Sequence, residues 1–373
     1  MDISLQRRRV RRFLEVALAR WAGAGYDPQR GLFLEALDFD GASLADLPRR
    51  GRVQTRQVFT YALAHSRGYD DSGRYLALAR DVDAKARPIY GDGGGWRFCA
   101  DASGRVTHPQ QLVYDQAFLI LSLAGLYNAG GEAAYAERAE AAYRWLAQIA
   151  DPVHGGFQLG VPFEPEKPRD QNPHMHLFEA CMEAQPLPPG QWLSRASALC
   201  DLALRHFVRE NGTIVEFFTP DWRPHPIKGP ELLPGHFFEW VWLLAQFSKR
   251  SGRPIAQIAR LYDAGMAWGL DRQGLGIDEI RPGGEQVIKS KRLWIQCEVL
   301  KAHLARYEAT GEAVYHERAQ QVLDLMFDLY LLPDLGIWYD RLDESNNNIS
   351  ANAPASTFYH LFVAFEEFLR VTA

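Results

Sequence analysis

The chain has 373 residues, of which 47% are hydrophobic and 12% aromatic, which is enough apolar material to bury a large core. Its formal net charge of −5 provides no positive field for a nucleic acid. The four cysteines are scattered without a Cys-x-x-Cys pair, so zinc and redox motifs are not indicated and free buried thiols in a reducing compartment are expected. No apolar run reaches the ~18 residues that a membrane span needs. We therefore expect a cytoplasmic chain without a nucleic-acid or membrane partner.

Short segments in which a glycine precedes an aromatic or aliphatic residue recur along the chain. Successive glycines of this set are 64, 61, 56, 64 and 60 residues apart. They are Gly31, Gly95, Gly156, Gly212, Gly276 and Gly336. Most have Asp, Asn or Gly close by, which indicates a tight turn or small hairpin. Between consecutive turns there is room for two helices.

The predicted helices follow in chain order. Outer helices are expected at about 4–24, 71–87, 131–150, 191–209, 254–269 and 311–331, and inner helices begin near Arg52, Gln111, Asn172, Pro234, Arg292 and Thr357. The first carries a basic face and is amphipathic, unlike the continuous apolar stretch of a targeting peptide. We predict an all-α (α/α)6 barrel with short β-hairpin turns at one end, formed by a single domain over 1–373. An open helical solenoid would show the same local pattern without closure.

Each predicted inner helix carries a polar or titratable residue near its start. These residues follow the preceding turn glycine by 25, 19, 20, 24, 20 and 24 positions. They are Arg56, Tyr114, His176, His236, Gln296 and His360. If the inner helices line a barrel, the six side chains converge on one mouth. Because an unpaired buried polar group costs roughly 1–3 kcal/mol, the pattern favours a ligand cavity.

Two His-x-x-Glu pairs stand out among these helix starts. His236 and Glu239 share one helix face, and His176 and Glu179 repeat the same spacing. His174 points about 200° away from His176 on a helix, so these two histidines cannot chelate one ion together. Paired His-x-x-Glu motifs on two helices could hold a metal. We expect no metal here.

Three histidines, one arginine and several carboxylates at one mouth suit general acid–base chemistry near neutral pH. Aromatic residues such as Trp294 fit a sugar, although Trp294 would equally fit the core. Two histidines on opposite walls could move a proton at a carbon beside a carbonyl, while an arginine stabilises the enediolate oxygen. That chemistry gives aldose–ketose isomerisation or 2-epimerisation, and neither reaction needs a metal or a nucleotide cofactor.

Five segments together resemble one protein family. They are Thr55-Arg56, Asn172-Pro-His-Met-His-Leu-Phe-Glu-Ala180, Pro234-Gly-His-Phe-Phe-Glu-Trp-Val-Trp242, Arg292-Leu-Trp-Ile-Gln-Cys-Glu298 and Phe358-Tyr-His360. The chain is similar over nearly its whole length to the N-acylglucosamine 2-epimerase superfamily of (α/α)6-barrel sugar epimerases and isomerases. The Asn-Pro-His-Met-His segment resembles the mannose isomerase-like branch. The resemblance departs at 353–356, where a basic residue would be typical and this chain has none.

The resemblance implies roles for particular residues. His236 and His360 would be the acid/base pair, with His360 working at C2. Arg56 would hold the O1/O2 side of the sugar, and Glu239 would orient His236. The residues expected to bind substrate are Asn172, His176, Tyr114, Trp294, Gln296 and Glu179.

We therefore expect an isomerase that interconverts mannose and fructose through a cis-enediolate, acting on a small monosaccharide as a monomer or homodimer. Mannose/glucose or cellobiose-type 2-epimerisation is the alternative, since both reactions share the enediolate. The sequence leaves open whether the sugar carries a phosphate, which loop residues could receive. These residues are Lys228, Lys289, Lys291 and Arg292.

Two further classes remain possible from the sequence. A glycoside hydrolase or lyase on the same barrel would need two dominant carboxylates, for which Asp115, Glu216 and Glu239 are candidates. The histidines would then be unexplained. A non-catalytic helical scaffold would instead expose its polar stripe on an open concave face.

Overall fold

The computed structural model describes residues 2–373, and twelve α-helices account for most of this part of the chain. The helices are α1 Ile3–Gly23, α2 Gly51–Ser66, α3 Arg74–Tyr90, α4 Val113–Gly130, α5 Ala133–Trp145, α6 Asn172–Glu183, α7 Trp192–Leu202, α8 Pro234–Ser251, α9 Gln257–Trp268, α10 Leu293–Thr310, α11 Ala313–Leu329 and α12 Phe358–Val371. The predicted alternation of helices and turns is therefore present.

The even-numbered helices lie inside and the odd-numbered helices outside. Helix α4 is buried on every face, with consecutive buried residues from Asp115 to Leu126. Helix α3 buries only one stripe, which includes Leu76, Ala79 and Val82, at the spacing of a half-exposed helix. The continuous apolar run of α4 and the amphipathic pattern of α3 thus determine which layer each helix occupies.

The ring of inner helices is closed. Helix α2 packs against α4, contacts continue in turn through α6, α8, α10 and α12, and α12 returns to α2. The outer helix α1 joins the last repeat to the first, since Trp21 stacks on Trp338 at 5.3 Å and Phe13 meets Phe365 at 5.7 Å between ring centroids. The predicted (α/α)6 barrel is confirmed, and the open solenoid is excluded.

Short strands surround the end of the barrel at which the inner helices begin. They are β1 Tyr26–Asp27, β2 Leu32–Phe33, β3 Ala36–Leu37, β4 Arg49–Arg50, β5 Gly91–Asp92, β6 Gly95–Ala100, β7 Val106–Leu112, β8 Gly160–Val161, β9 Arg169–Asp170, β10 Phe217–Phe218, β11 Glu279–Ile280, β12 Gln286–Ile288, β13 Lys291–Arg292, β14 Leu331–Leu332, β15 Ile337–Trp338, β16 Arg341–Leu342 and β17 Ala353–Pro354. All observed pairs are antiparallel, and β4, β5, β6, β7 and β8 form the largest sheet. Strands β4, β7 and β13 run directly into α2, α4 and α10, so the strands form a rim around one mouth.

The six glycine turns are present at the predicted places, either as two-stranded hairpins or as isolated bridges. Gly336 shows why one of them requires glycine. Its φ is +66°, and a Cβ atom there would lie 2.7 Å from the backbone of Ala17. Any larger residue would therefore push α1 away from the last hairpin.

Some outer helices are shorter than predicted. Helix α5 ends at Trp145 and continues as a 3-10 turn over Leu146–Ile149, while α7 ends at Leu202 and gives way to a π turn over Ala203–Phe207. Among residues 2–373, no helix combines the length and the apolar character that crossing a membrane requires.

Candidate active site

The predicted acid/base pair lies at the mouth, next to one indole. His236 and His360 are each the third residue of their helix, α8 and α12. The ring centroids of His236 and His360 lie 5.3 Å and 5.7 Å from that of Trp294, near the start of α10. Each histidine retains about 5% of its surface. The structure therefore places the three side chains around one small space.

His360 is held by a buried ion pair. Its Nδ1 lies 2.9 Å from Oε1 of Glu298, whose Oε2 lies 2.7 Å from Nζ of Lys301. Burial, together with the positive charges of Arg56 and Lys301, lowers the pKa of His360 well below its ordinary value. A neutral imidazole that donates from Nδ1 keeps its lone pair on Nε2, so His360 is ready to accept a proton.

His236 is held by Glu216 rather than by Glu239. Oε2 of Glu216 lies 2.8 Å from Nδ1 of His236, and Nε2 of Gln171 donates to the same oxygen at 2.9 Å. Gln171 is fixed in turn by the indole N–H of Trp240 at 2.8 Å. The prediction that Glu239 orients His236 is wrong because the imidazole turns toward the loop before α8.

Glu239 is instead a buried acid without a hydrogen-bond partner. It is 1% exposed, and neither of its carboxylate oxygens is hydrogen-bonded within residues 2–373. Burial, followed by the negative charge of Glu298, raises the pKa of Glu239 well above its ordinary value. Its Oε1 lies 3.9 Å from Nδ1 of His176. That Glu239 takes part in the chemistry stays a prediction. Its role would not be to orient His236.

His176 lies beside His360 and Glu239, and Glu179 contacts His176. The ring centroid of His176 is 6.4 Å from that of His360, and burial lowers the pKa of His176 to about 4. Nδ1 of His176 lies 3.2 Å from Oε2 of Glu179, and the hydroxyl of Tyr359 donates to Oε1. Both oxygens of Glu179 are thus engaged, and the side chain lines a cavity at the other end of the barrel. That Glu179 contacts substrate stays a prediction.

Arg56 reaches the same space from α2. Its guanidinium donates to the carbonyl of Ser356 at 3.0 Å and to the hydroxyl of Tyr114 at 2.8 Å. The ring of Tyr114 lies 5.0 Å from that of His176. Asn172, the half-buried first residue of α6, has a side-chain oxygen with no partner in the described chain. Arg56, Tyr114 and Asn172 thus lie at the predicted end of the barrel.

Gln296 does not belong to the site. Its amide accepts from the N–H of Gly276 at 2.8 Å and donates to the carbonyl of the same residue at 2.9 Å. Gln54 holds Phe33 in the same two-bond manner at 2.8 and 2.9 Å. The prediction that Gln296 binds substrate is wrong because its amide is fully used in fixing a turn. Sequence spacing after the glycine did not separate this role from that of a mouth residue.

The carboxylates beneath the histidines are close enough to share a cation. Two overlapping triads have ligand atoms within 4.8 Å of one another, namely His176, Glu179 and Glu239, and Glu239, Glu298 and His360. The buried ammonium of Lys301 already provides a cation there. Although burial opposes its charge, the surrounding carboxylates of Glu298, Glu239 and Glu179 raise the pKa of Lys301 above its ordinary value. The sequence analysis does not predict this role of Lys301. The signal that could have indicated it is a lysine among the apolar residues of α10.

Comparison with known proteins gives this site its context. The family model for N-acylglucosamine 2-epimerase matches residues 31–364. A mannose-6-phosphate isomerase of Rhizobium meliloti (strain 1021) is 34% identical over 384 residues, covering 98% of this chain and 97% of that protein. A D-mannose isomerase of Thermobifida fusca is 26% identical over 355 residues, covering 87% and 84%. A crystal structure of D-mannose isomerase superposes with a TM-score of 0.88 at 23% identity over 97% of each chain. The chain therefore belongs to the N-acylglucosamine 2-epimerase family, whose enzymes isomerise or epimerise sugars.

Proposed function

We propose that this enzyme interconverts free mannose and fructose through a cis-enediolate. The observation that carries the proposal is the pair of histidines around Trp294, each held at Nδ1 by its own carboxylate. This geometry supplies two oriented acid/base groups next to one aromatic ring. The names of two relatives, a mannose-6-phosphate isomerase and a D-mannose isomerase, support mannose as the sugar.

The chemistry follows from the positions of the side chains. With the open-chain sugar on Trp294, Nε2 of His360 takes the proton from C2, and the electron pair forms the C1=C2 bond of the enediolate. Arg56 stabilises the negative oxygen by charge-assisted hydrogen bonds. His360 returns the proton to C1, while His236 moves a proton between the sugar oxygens, as ring opening also requires.

The charges at the rim favour a sugar without a phosphate. Six basic side chains there are already paired with carboxylates, which a phosphate would have to displace. The pairs are Arg50 with Glu35, Arg52 with Asp115, Arg292 and Arg341 with Asp278, Lys291 with Asp271, and Lys289 with Glu344. Lys228 is exposed, and its ammonium lies 5.1 Å from the ring centre of Phe217. Of the four predicted phosphate ligands, three are therefore committed elsewhere.

Initial rates with mannose and with mannose 6-phosphate test this assignment. We expect kcat/KM to be at least tenfold higher for mannose, and Lys228→Ala to leave the rate with mannose unchanged. A preference for mannose 6-phosphate that Lys228→Ala removes would assign the phosphorylated sugar instead.

A second candidate is 2-epimerisation of mannose to glucose, and one observation favours it. His236 and His360 both lie next to Trp294, at 5.3 Å and 5.7 Å between ring centroids, so two acid/base groups are available to return the proton to C2. Glucose as the first product in the same assay, in place of fructose, would establish this reaction.

A further inference from the structure

A second cavity lies at the end of the barrel opposite the mouth. Its volume is about 240 Å³, and it lies between the C-terminal halves of α2, α4, α6, α8 and α12. Leu63, Leu121 and Leu243 contribute apolar walls, and Arg67 and Arg250 lie on its rim. Neither His236 nor His360 lines this cavity.

Several carboxyl groups line this cavity. Glu183 is one of them, and burial raises the pKa of Glu183 above its ordinary value. Further along, Oε1 of Glu367 accepts from the indole N–H of Trp242 at 3.1 Å and from the amide of Gln246 at 3.0 Å. Glu179 also lines the cavity. The rear cavity of an otherwise apolar barrel is thus lined by several carboxyl groups.

Glu179 separates this cavity from the catalytic histidines. Its Oε2 lies 3.2 Å from Nδ1 of His176 on the mouth side, while the carboxylate itself lines the opposite cavity. Glu239 lies close to both histidines: its Oε1 is 3.9 Å from Nδ1 of His176, and a ligand atom of Glu239 lies within 4.8 Å of one on His360. One carboxylate therefore faces both the acid/base cluster and the rear cavity.

We propose that Glu179 passes protons between the catalytic histidines and water in the rear cavity. The inference rests on the proposed isomerase function. When His360 has taken the proton from C2, that proton either returns to C1 or moves through Glu239 and His176 to Glu179 and then to water. A proton from water takes the reverse path. These transfers therefore consume no net proton, and they change no oxidation state beyond the change that the isomerisation itself makes.

The rear route matters while the mouth is occupied. When a sugar occupies the mouth, water in the rear cavity is the exchange partner that the proposed route supplies. We therefore expect fructose formed in D2O to carry deuterium at C1 even at early times.

Filling the cavity tests the inference without altering the mouth. Leu63→Trp and Gln246→Trp each place an indole in the cavity from a different helix, and Ser66→Trp adds the same ring at an exposed position of α2 outside it. For each purified variant, NMR of fructose formed from mannose in D2O gives deuterium at C1 per turnover. We expect both filled variants to incorporate at least threefold less deuterium than the wild type and Ser66→Trp, with kcat within twofold.

Glu179→Gln provides an independent arm, because the amide keeps an acceptor for Tyr359 but cannot carry the proton. We expect its deuterium content per turnover to fall as well, whereas Glu179→Asp retains exchange. Equal deuterium content in the wild type, both filled variants and Glu179→Gln would overturn the inference, as would wild-type fructose without deuterium. If the wild type forms no fructose at all, the proposed function fails first and the inference falls with it.

Discussion

Glu216 and His236 form a carboxylate–imidazole pair across 20 residues of sequence, with 2.8 Å between Oε2 and Nδ1. The pair fixes the tautomer and the direction of the ring, as a second group does for a catalytic histidine in other enzymes. We predict that Glu216→Gln lowers kcat by about 10²–10⁴-fold with little change in KM. Glu216→Asp should recover part of the loss, and the exposed Glu210→Gln in the same turn should have no effect. A Glu216→Gln enzyme with wild-type kcat would contradict this role.

The ion pair between Lys301 and Glu298, next to His360, should contribute to the free energy of unfolding. Lys301 is 1% exposed and neutralises Glu298, which is fully buried. Lys301→Met leaves buried carboxylates without their cation, and we expect it to cost about 3–5 kcal/mol of unfolding free energy. The double variant Glu298→Gln/Lys301→Met should lose less than the sum of the two single losses. Urea unfolding of the four proteins measures this difference, and strict additivity would show that the two groups do not interact.

Glu239 should make the protein less stable as pH rises. Since burial and Glu298 raise the pKa of Glu239 in the folded state, folding favours the protonated acid. The stability from this group is complete below its unfolded pKa and is lost as pH rises toward the folded value. We predict that Glu239→Gln, which resembles the protonated acid, gains stability relative to wild type as pH rises above the ordinary pKa of a glutamate, about 4.3. A difference that stays constant with pH would refute the raised pKa.

Gln296 should contribute to the stability of the fold and not to substrate binding. Gln296→Leu leaves the N–H and carbonyl of Gly276 unpaired, at a cost of roughly 1–3 kcal/mol for each buried group. Gln54→Leu is the matched change in the first repeat and should destabilise by a similar amount. We expect KM for mannose to change less than twofold in both variants. A selective rise in KM for Gln296→Leu would restore its predicted contact with the sugar.

The barrel was predictable because its signals are local and repeated. The glycine spacing predicted the number of repeats. The sequence of α4 is a continuous apolar run, whereas that of α3 is amphipathic, and this difference predicts which helix is inner and which is outer. The polar residues at the starts of the inner helices also recur in every repeat, and they therefore predicted which end of the barrel forms the mouth. Closure itself is a long-range property: the sixfold repeat favoured it, but an open solenoid would have shown the same local pattern.

The errors arose where one spacing serves two purposes. Gln296 and His176 both follow their turn glycine by 20 residues, yet one fixes the turn and the other faces the catalytic space. Helical spacing placed Glu239 beside His236, but the ring orientation depends on Glu216, which arrives from a separate loop. Side-chain direction across different elements is therefore what the sequence did not determine.

The most direct test of the account is proton NMR of mannose with the wild type and with His360→Asn, in the presence of a chelator. We predict that the wild type produces fructose and that His360→Asn lowers the rate by about 10²–10⁴-fold, because it removes the base at C2. The variant should retain the wild-type unfolding midpoint within a few degrees. Wild-type protein that leaves mannose unchanged, or a His360→Asn enzyme with full activity, would contradict the central claim.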